Sequence, residues 1–162
     1  MSDILLSKNF TLKSLCGTSR AELAAENETA ALHYSEPLRA LAQTILEPVC
    51  EMAGEVVTVT SAFRCAALNK ISGGAENSQH VKGEAADFTL KNMRLKELFL
   101  RLRAAYPLVP YGQLILESFG SSRWLHISLG VPFRPAQKCG QSFILNNGVV
   151  EDFKQYKTEE KK

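Results

Sequence analysis

The stretch Ser78-Gln79-His80-Val81-Lys82-Gly83-Glu84-Ala85-Ala86-Asp87 decides how this chain reads. It holds one of the three histidines and, a short way on, an aspartate flanked by small and apolar residues. A second histidine, His126, follows downstream in Trp124-Leu125-His126-Ile127-Ser128. Two imidazoles and one carboxylate form a common donor set for a catalytic zinc, which keeps a fourth position open for water. Gly83 permits unusual backbone angles, and with Ala85 it keeps bulk away from the point where His80 and Asp87 would meet.

Outward from this stretch, the chain alternates strand and helix signals. Residues 56–60 are β-branched and read as a strand that delivers Ser61-Ala62-Phe63-Arg64 at its end. Residues 66–71 suit a short helix, broken by Gly73-Gly74, and the loop 73–79 then leads to His80. Residues 85–90 read as a strand carrying Asp87. Further upstream, Thr11 is placed to cap a turn holding Leu12 and Leu15. Residues 18–31, rich in Ala, Glu and Asn, suit a surface helix or loop. His33 beside Tyr34 reads as a surface polar residue. Ser35 is a good N-cap for a helix whose apolar face is Leu38, Leu41, Ile45, Val49 and Met52. Pro48 should kink or shorten that helix, and Gly54 should end it.

Downstream, Asn92 is placed to cap a helix with Leu95, Leu98, Phe99 and Leu102 on one face. Residues 113–117 and 124–129 read as a hairpin. A turn centred near residues 120 and 121 sets Ile115 opposite His126 and Glu117 opposite Trp124. Side chains two apart share a face, so Gln113, Glu117, Trp124, His126 and Ser128 would point the same way. Glu117 becomes a diagonal neighbour of His126, placed to take a proton from water at the open position. A second extended pair, residues 142–145 and 149–153, flanks Asn147-Gly148, a strong hairpin signal.

Composition narrows the function classes. The 162 residues suit one domain, expected over residues 1–153, with a charged and frayed tail over 154–162. A formal charge of +2 is too small to argue for nucleic acid. No segment is apolar and long enough for a transmembrane helix, so no membrane insertion is expected. The start lacks a secretory signal, which points to synthesis in the cytoplasm. Cys16, Cys50, Cys65 and Cys139 form no Cys-x-x-Cys pair and read as scattered thiols. A monomer is expected.

SQHVKGEAAD matches a Ser-x-His-x-x-Gly-x-Ala-x-Asp motif. With His126 downstream, the chain resembles the zinc D-Ala-D-Ala carboxypeptidase/endopeptidase family of metallopeptidases, in its phage endolysin-like branch. Ser61-Ala62-Phe63-Arg64 followed by Leu68-Asn69 is similar to a Ser-Gly-Tyr-Arg turn with Leu-Asn in that branch. Gln113-Leu114-Ile115-Leu116-Glu117 and Trp124-Leu125-His126-Ile127-Ser128 resemble two of its strands. The likeness runs from about Asn9 to about Gly148.

The resemblance implies an α+β fold, a small antiparallel sheet with helices packed against one face, Hedgehog/D-Ala-D-Ala-peptidase-like, and the site on the other face. It implies that His80, Asp87 and His126 hold Zn2+ and that Glu117 is the general base and acid. Arg64 would hold a substrate carboxylate or the developing oxyanion, with Ser78 and Gln79 lining the loop beside it and Trp124 a substrate wall. Other branches carry an acidic residue three positions before the second histidine. Here that position is Arg123, which favours Glu117 as base and leaves Glu84 as the fallback. The implied substrate is a peptidoglycan stem peptide, cut by a carboxypeptidase or an endolysin-type endopeptidase that reaches the cell wall after release from the cell. The rival expectation is a zinc-binding, catalytically silent wall-binding or phage virion protein.

Overall fold

The computed structural model describes residues 3–151. The tail expected over 154–162, and the last two residues of the strand expected over 149–153, lie outside the described residues. The helices are α1 (Leu12–Cys16), α2 (Ala24–Ala31), α3 (Ser35–Leu41), α4 (Glu47–Ala53), α5 (Ala66–Ile71) and α6 (Leu95–Ala104). The strands are β1 (Thr58–Ser61), β2 (Ala85–Thr89), β3 (Tyr111–Phe119), β4 (Ser122–Leu129), β5 (Gln141–Asn146) and β6 (Val149–Glu151).

Local signals set several boundaries. The Thr11 hydroxyl accepts from the Ser14 N–H, and Ser14 reciprocates, so α1 starts in a capping box. Gly54 ends α4 in the left-handed conformation at φ 70°, its N–H donating to the Glu51 carbonyl. Three expectations are corrected or narrowed. Ser35 is not an N-cap, because Leu32–Tyr34 form a 3-10 turn directly before it, Tyr34 takes the cap position, and Ser35 already has helical backbone angles. Of the two outcomes expected of Pro48, an early end does not occur. A π-helical turn over Ala42–Leu46 shifts the hydrogen-bond ladder just before the proline, and α4 continues to Ala53. Asn92 does not cap α6, whose N-cap is Arg94 with no side-chain bond. Instead the Glu55 carboxylate, distant in sequence, accepts the backbone N–H groups of Lys91, Asn92 and Met93.

The six strands lie in the order β1-β2-β4-β3-β5-β6. The sheet is mixed rather than antiparallel throughout, because β3 pairs with β5 in parallel. The reason is geometric. β4 ends beside Tyr111, where β3 begins. Residues 130–140 cross that same end, with the Gly140 N–H donating to the Tyr111 carbonyl. A strand starting there must run alongside β3 in the same direction. An antiparallel β5 would have to start at the far end of the 9-residue β3, about 30 Å away.

Alternation in the strands separates two faces. Phe88, Leu114, Leu125 and Ile127 are fully buried against the helical layer, where Leu98, Phe99 and Leu102 of α6 join the same core. Their neighbours Asp87, Ile115, Glu117, Trp124 and His126 point to the other face. Helices on one side and polar chemistry on the other agree with the sequence reading.

One buried polar residue ties the helices to the start of the site. Asn27 of α2 is 0% exposed. Its Nδ2 donates to the carbonyls of Cys16 (2.6 Å) and Phe63 (3.2 Å), and its Oδ1 accepts from the Cys65 N–H at 2.6 Å. The segment carrying Arg64 is therefore pinned on both sides. Asn27→Ala leaves buried backbone groups without partners, and an unmet buried group costs about 1–3 kcal/mol. Urea unfolding of this variant should show a loss of about 2–4 kcal/mol. A change within a few tenths of a kcal/mol would show that water replaces the amide at no cost.

Candidate active site

Asp87 of β2 lies directly opposite His126 of β4, and Ile115 of β3 lies opposite His126 on the other side. The expected hairpin register is the one observed: Glu117 pairs with Trp124 and Phe119 with Ser122. The Asp87 Oδ1 lies 2.8 Å from His126 Nδ1, and its Oδ2 lies 3.3 Å from His80 Nε2. The two imidazole rings stand edge to face, 5.2 Å apart at 61°.

His80 comes from a 3-10 turn over Gln79–Lys82, capped by the Ser78 hydroxyl, which accepts from the His80 N–H at 3.3 Å. The other ring nitrogen, Nδ1, lies 2.7 Å from the Ala62 carbonyl. A carbonyl only accepts, so Nδ1 carries the proton and Nε2 presents its lone pair toward Asp87. The Ala62 carbonyl thus sets the tautomer. No sequence signal marks a backbone carbonyl for such a role.

Gly83 ends the turn at φ 67°. A Cβ there would meet Leu38 Cγ at 3.0 Å and Tyr34 Cβ at 3.2 Å. The residue is therefore small because α3 packs against it and because its φ is positive. Room for a metal is not the reason, which corrects the expectation.

Arg64 follows β1. Its backbone N–H donates to the His80 carbonyl at 3.2 Å, and its guanidinium Nη2 lies 3.5 Å from Asp87 Oδ2. Its Nε is buried without a hydrogen-bond partner. Gln79 also has a buried side-chain amide nitrogen without a partner, while its backbone carbonyl accepts the Gly83 and Glu84 N–H groups. Ser78 is thus occupied in shaping the turn, whereas Arg64 and Gln79 keep donors unspent.

Electrostatics distinguish the acidic residues. Burial opposes ionisation of Asp87, but its close contacts with His80 and His126 outweigh it and hold the carboxyl well below the usual range. Burial pushes His80 down, so its neutral, lone-pair-bearing form is favoured. Burial raises Glu117; the charge of His126 opposes that rise, Asp87 adds to it and Arg64 opposes it. Glu117 is therefore coupled to His126, Asp87 and Arg64. Glu84 is also raised by burial, but its charged neighbours are Lys82 and Arg134 instead. Arg123 pairs with Ser118, one step along from Glu117, and so points to the opposite face. Trp124 is half-buried on the face that carries His126.

The donor atoms of His80, Asp87 and His126 all lie within 4.8 Å of one another. Two imidazole nitrogens and one carboxylate oxygen in so compact a group suit zinc, which takes three protein ligands at catalytic sites. His33 is exposed in the 3-10 turn Leu32–Tyr34 and takes no part. A cleft of about 990 Å³ begins at Arg64 and is lined further out by Tyr34, Phe63, Asn69, Gly74 and Lys82. Of the site residues described above, only Arg64 lines it; His80, Asp87 and His126 do not. The four cysteines are free and none belongs to the donor group.

Comparison with protein families matches residues 8–128 to the family described as Peptidase M15. Comparison with curated proteins gives no match. The matched residues include all three candidate donors, Arg64, Glu117 and Trp124.

Zinc content tests the donor group. Purified protein should carry about one zinc per chain by elemental analysis. His80→Ala and His126→Ala should each lose most of it while keeping far-ultraviolet circular dichroism. Full zinc occupancy in both variants would place the metal elsewhere.

Proposed function

The chain belongs to the peptidase M15 family of zinc D-Ala-D-Ala carboxypeptidase-like metallopeptidases, and from that premise we propose that it hydrolyses peptide bonds in the stem peptides of bacterial peptidoglycan. The family makes it a zinc-dependent hydrolase acting on a peptide. The finer reading is of a D-Ala-D-Ala carboxypeptidase or an endolysin-type endopeptidase, working in phage or prophage lysis and reaching the wall after release from the cytoplasm. The observation that carries it is the placement of Glu117 on the strand beside His126, within the charge network of a His–Asp–His donor group.

His80, Asp87 and His126 would hold the zinc. Bound there, zinc supplies a Lewis acid for the scissile carbonyl and makes a water acidic enough to attack near neutral pH. Glu117 takes the proton from the attacking water and returns it to the departing amine. Its burial favours that cycle, because a carboxyl with a raised pKa gains and releases a proton more readily near neutrality. Arg64 sits over Asp87 with an unpartnered Nε, and it supplies a cation for a substrate carboxylate or for negative charge developing on the carbonyl oxygen. Gln79, with its unspent amide donor, is placed to orient the peptide from the motif loop. Trp124 forms a wall of the site on the Glu117 side.

Glu117→Gln keeps the shape of the side chain and cannot accept a proton. At equal zinc content it should lose about 10²–10⁴-fold in kcat. Glu84→Gln should be mild, since its charged neighbours lie outside the donor group. The reverse pattern would move the base into the motif loop. Arg64→Ala should lower kcat/KM without loss of zinc. Mass spectrometry of defined muropeptides after digestion names the bond, and no cleavage of any stem peptide by zinc-loaded protein would refute the substrate reading.

A further inference from the structure

The register of the sheet extends the site in a direction the catalytic residues do not use. Directly paired strand residues share a face. One row across the sheet therefore reads Asp87, His126, Ile115, Phe143, and the next reads Trp124, Glu117, Leu145, Val150. Phe119 lies beyond Glu117 on the same face. Phe119 is 68% exposed and Val150 is 63% exposed, while Trp124, Phe143 and Leu145 are half-buried. Beyond Glu117 and the buried Ile115, apolar and aromatic side chains thus extend from the strand next to the donor group to the sheet edge. With strands about 4.8 Å apart, Phe143 stands about 10 Å from His126, and Val150 about 15 Å from Trp124. Strands β5 and β6 lie outside the residues matched by the family model, 8–128.

An exposed apolar patch of this kind, next to a catalytic centre, marks a ligand surface. Its chemistry selects the occupant. A peptide backbone laid flat over Phe143, Leu145 and Val150 would bury most of its amides against apolar side chains and could reach partners only at the Gln113–Gln141 rim, at a cost for each amide left unpaired. A pyranose ring differs, because its apolar C–H face can lie on aromatic rings while its hydroxyls stay at the rim. The rim here is polar. Gln113 and Gln141 are paired across β3 and β5 in the row next to Phe143, and an amide both donates and accepts.

We propose that the open face of β3, β5 and β6, with Phe143 at its centre and Trp124 and Phe119 beside it, seats a sugar ring of the glycan attached to the substrate peptide. This rests on the peptidoglycan reading above. The enzyme would then prefer stem peptides still carrying their sugars over the same peptides released from them.

Trp124 is the sole tryptophan, so intrinsic fluorescence reports on this surface. Zinc-loaded protein titrated with the tetramer of N-acetylglucosamine should show a saturable fluorescence change. Phe143→Ala should weaken binding by about three- to tenfold, the contribution of one aromatic contact, and Phe143→Tyr should restore it. In parallel, the ratio of kcat/KM for a disaccharide-linked stem peptide to that for the sugar-free peptide should exceed one in the wild type and fall toward one in Phe143→Ala. The proposal is overturned if the sugar gives no saturable change at millimolar concentration. It is also overturned if Phe143→Ala binds the sugar as wild type does, or if that variant lowers both peptide activities equally, which would assign the surface to the peptide. Should the wild type cleave neither peptide, the substrate reading of the preceding subsection fails by itself, and the fluorescence titration still decides whether the face binds sugar.

Discussion

A single carboxylate sets the terms for this structure. Asp87 is largely withdrawn from water, and burial alone would hold it neutral. It stays ionised because His126 and His80 approach its two oxygens and Arg64 stands beside them. Removing one member of such a group leaves an uncompensated buried charge, which typically costs about 3–5 kcal/mol. The convergence needs three separate segments at one point: the end of β1, the motif turn and the β2–β4 pair. The apolar half of the strands holds that pair in place. Ala86 and Phe88 alternate with Ala85 and Asp87, and Leu125 and Ile127 alternate with Trp124 and His126. A slip of one residue would turn Phe88, Leu125 and Ile127 outward and send Asp87 and His126 into the helical layer. Each fully buried side chain of this size contributes about 1.5–3 kcal/mol. The hydrophobic core is therefore what fixes the geometry of the polar site.

The histidine outside the sheet needs its own support, and it draws on main-chain groups. The Phe63 N–H donates to the Leu15 carbonyl at 2.7 Å, the Phe63 carbonyl accepts from Asn27, and the Ala62 carbonyl between them accepts from His80. The orientation of His80 is thus tied through two peptide units to α1 and α2. The first helices carry no chemistry of their own, yet they hold the tautomer on which metal binding depends. Loss of α1 or α2 would act on the donor set without touching a donor.

How much of this the sequence disclosed follows from the range of each interaction. The β3–β4 hairpin was legible to the residue because only Gly120 and Ser121 separate Phe119 from Ser122, so loop length dictates register. The donor group followed from a compact motif, while the α+β class and the site face were what the family resemblance implied. What escaped the reading depended on distant partners. Glu55, just before β1 and far from Asn92 in sequence, holds the turn ahead of α6 by accepting its N–H groups. Ser35 carries the chemistry of a cap, but it already has helical backbone angles and Tyr34 takes the cap position. The parallel pairing of β5 follows from where residues 130–140 cross the sheet, which no local pattern encodes. Gly83 looked like a metal-site requirement and proves to answer α3 instead.

The choice between two glutamates shows why position in the sheet outweighs position in the motif. Glu84 stands within the conspicuous stretch, close in sequence to Asp87. Yet successive strand residues alternate in direction, and Glu84 ends up among Lys82 and Arg134. Glu117 is distant in sequence, but it belongs to the strand next to His126 and sits on the same face. A base for this chemistry must be partly desolvated, so that its proton affinity rises toward neutrality. It must also lie near the donor group without joining it, because a carboxylate bound to a metal cation loses much of its basicity. Glu117 meets both conditions. Its burial raises its pKa, and Asp87, an anion already committed to the histidines, raises it further, with His126 and Arg64 limiting the shift. The adjacent strand is therefore the natural source of the base, since it offers a side chain one strand spacing from the ligands that does not compete with them.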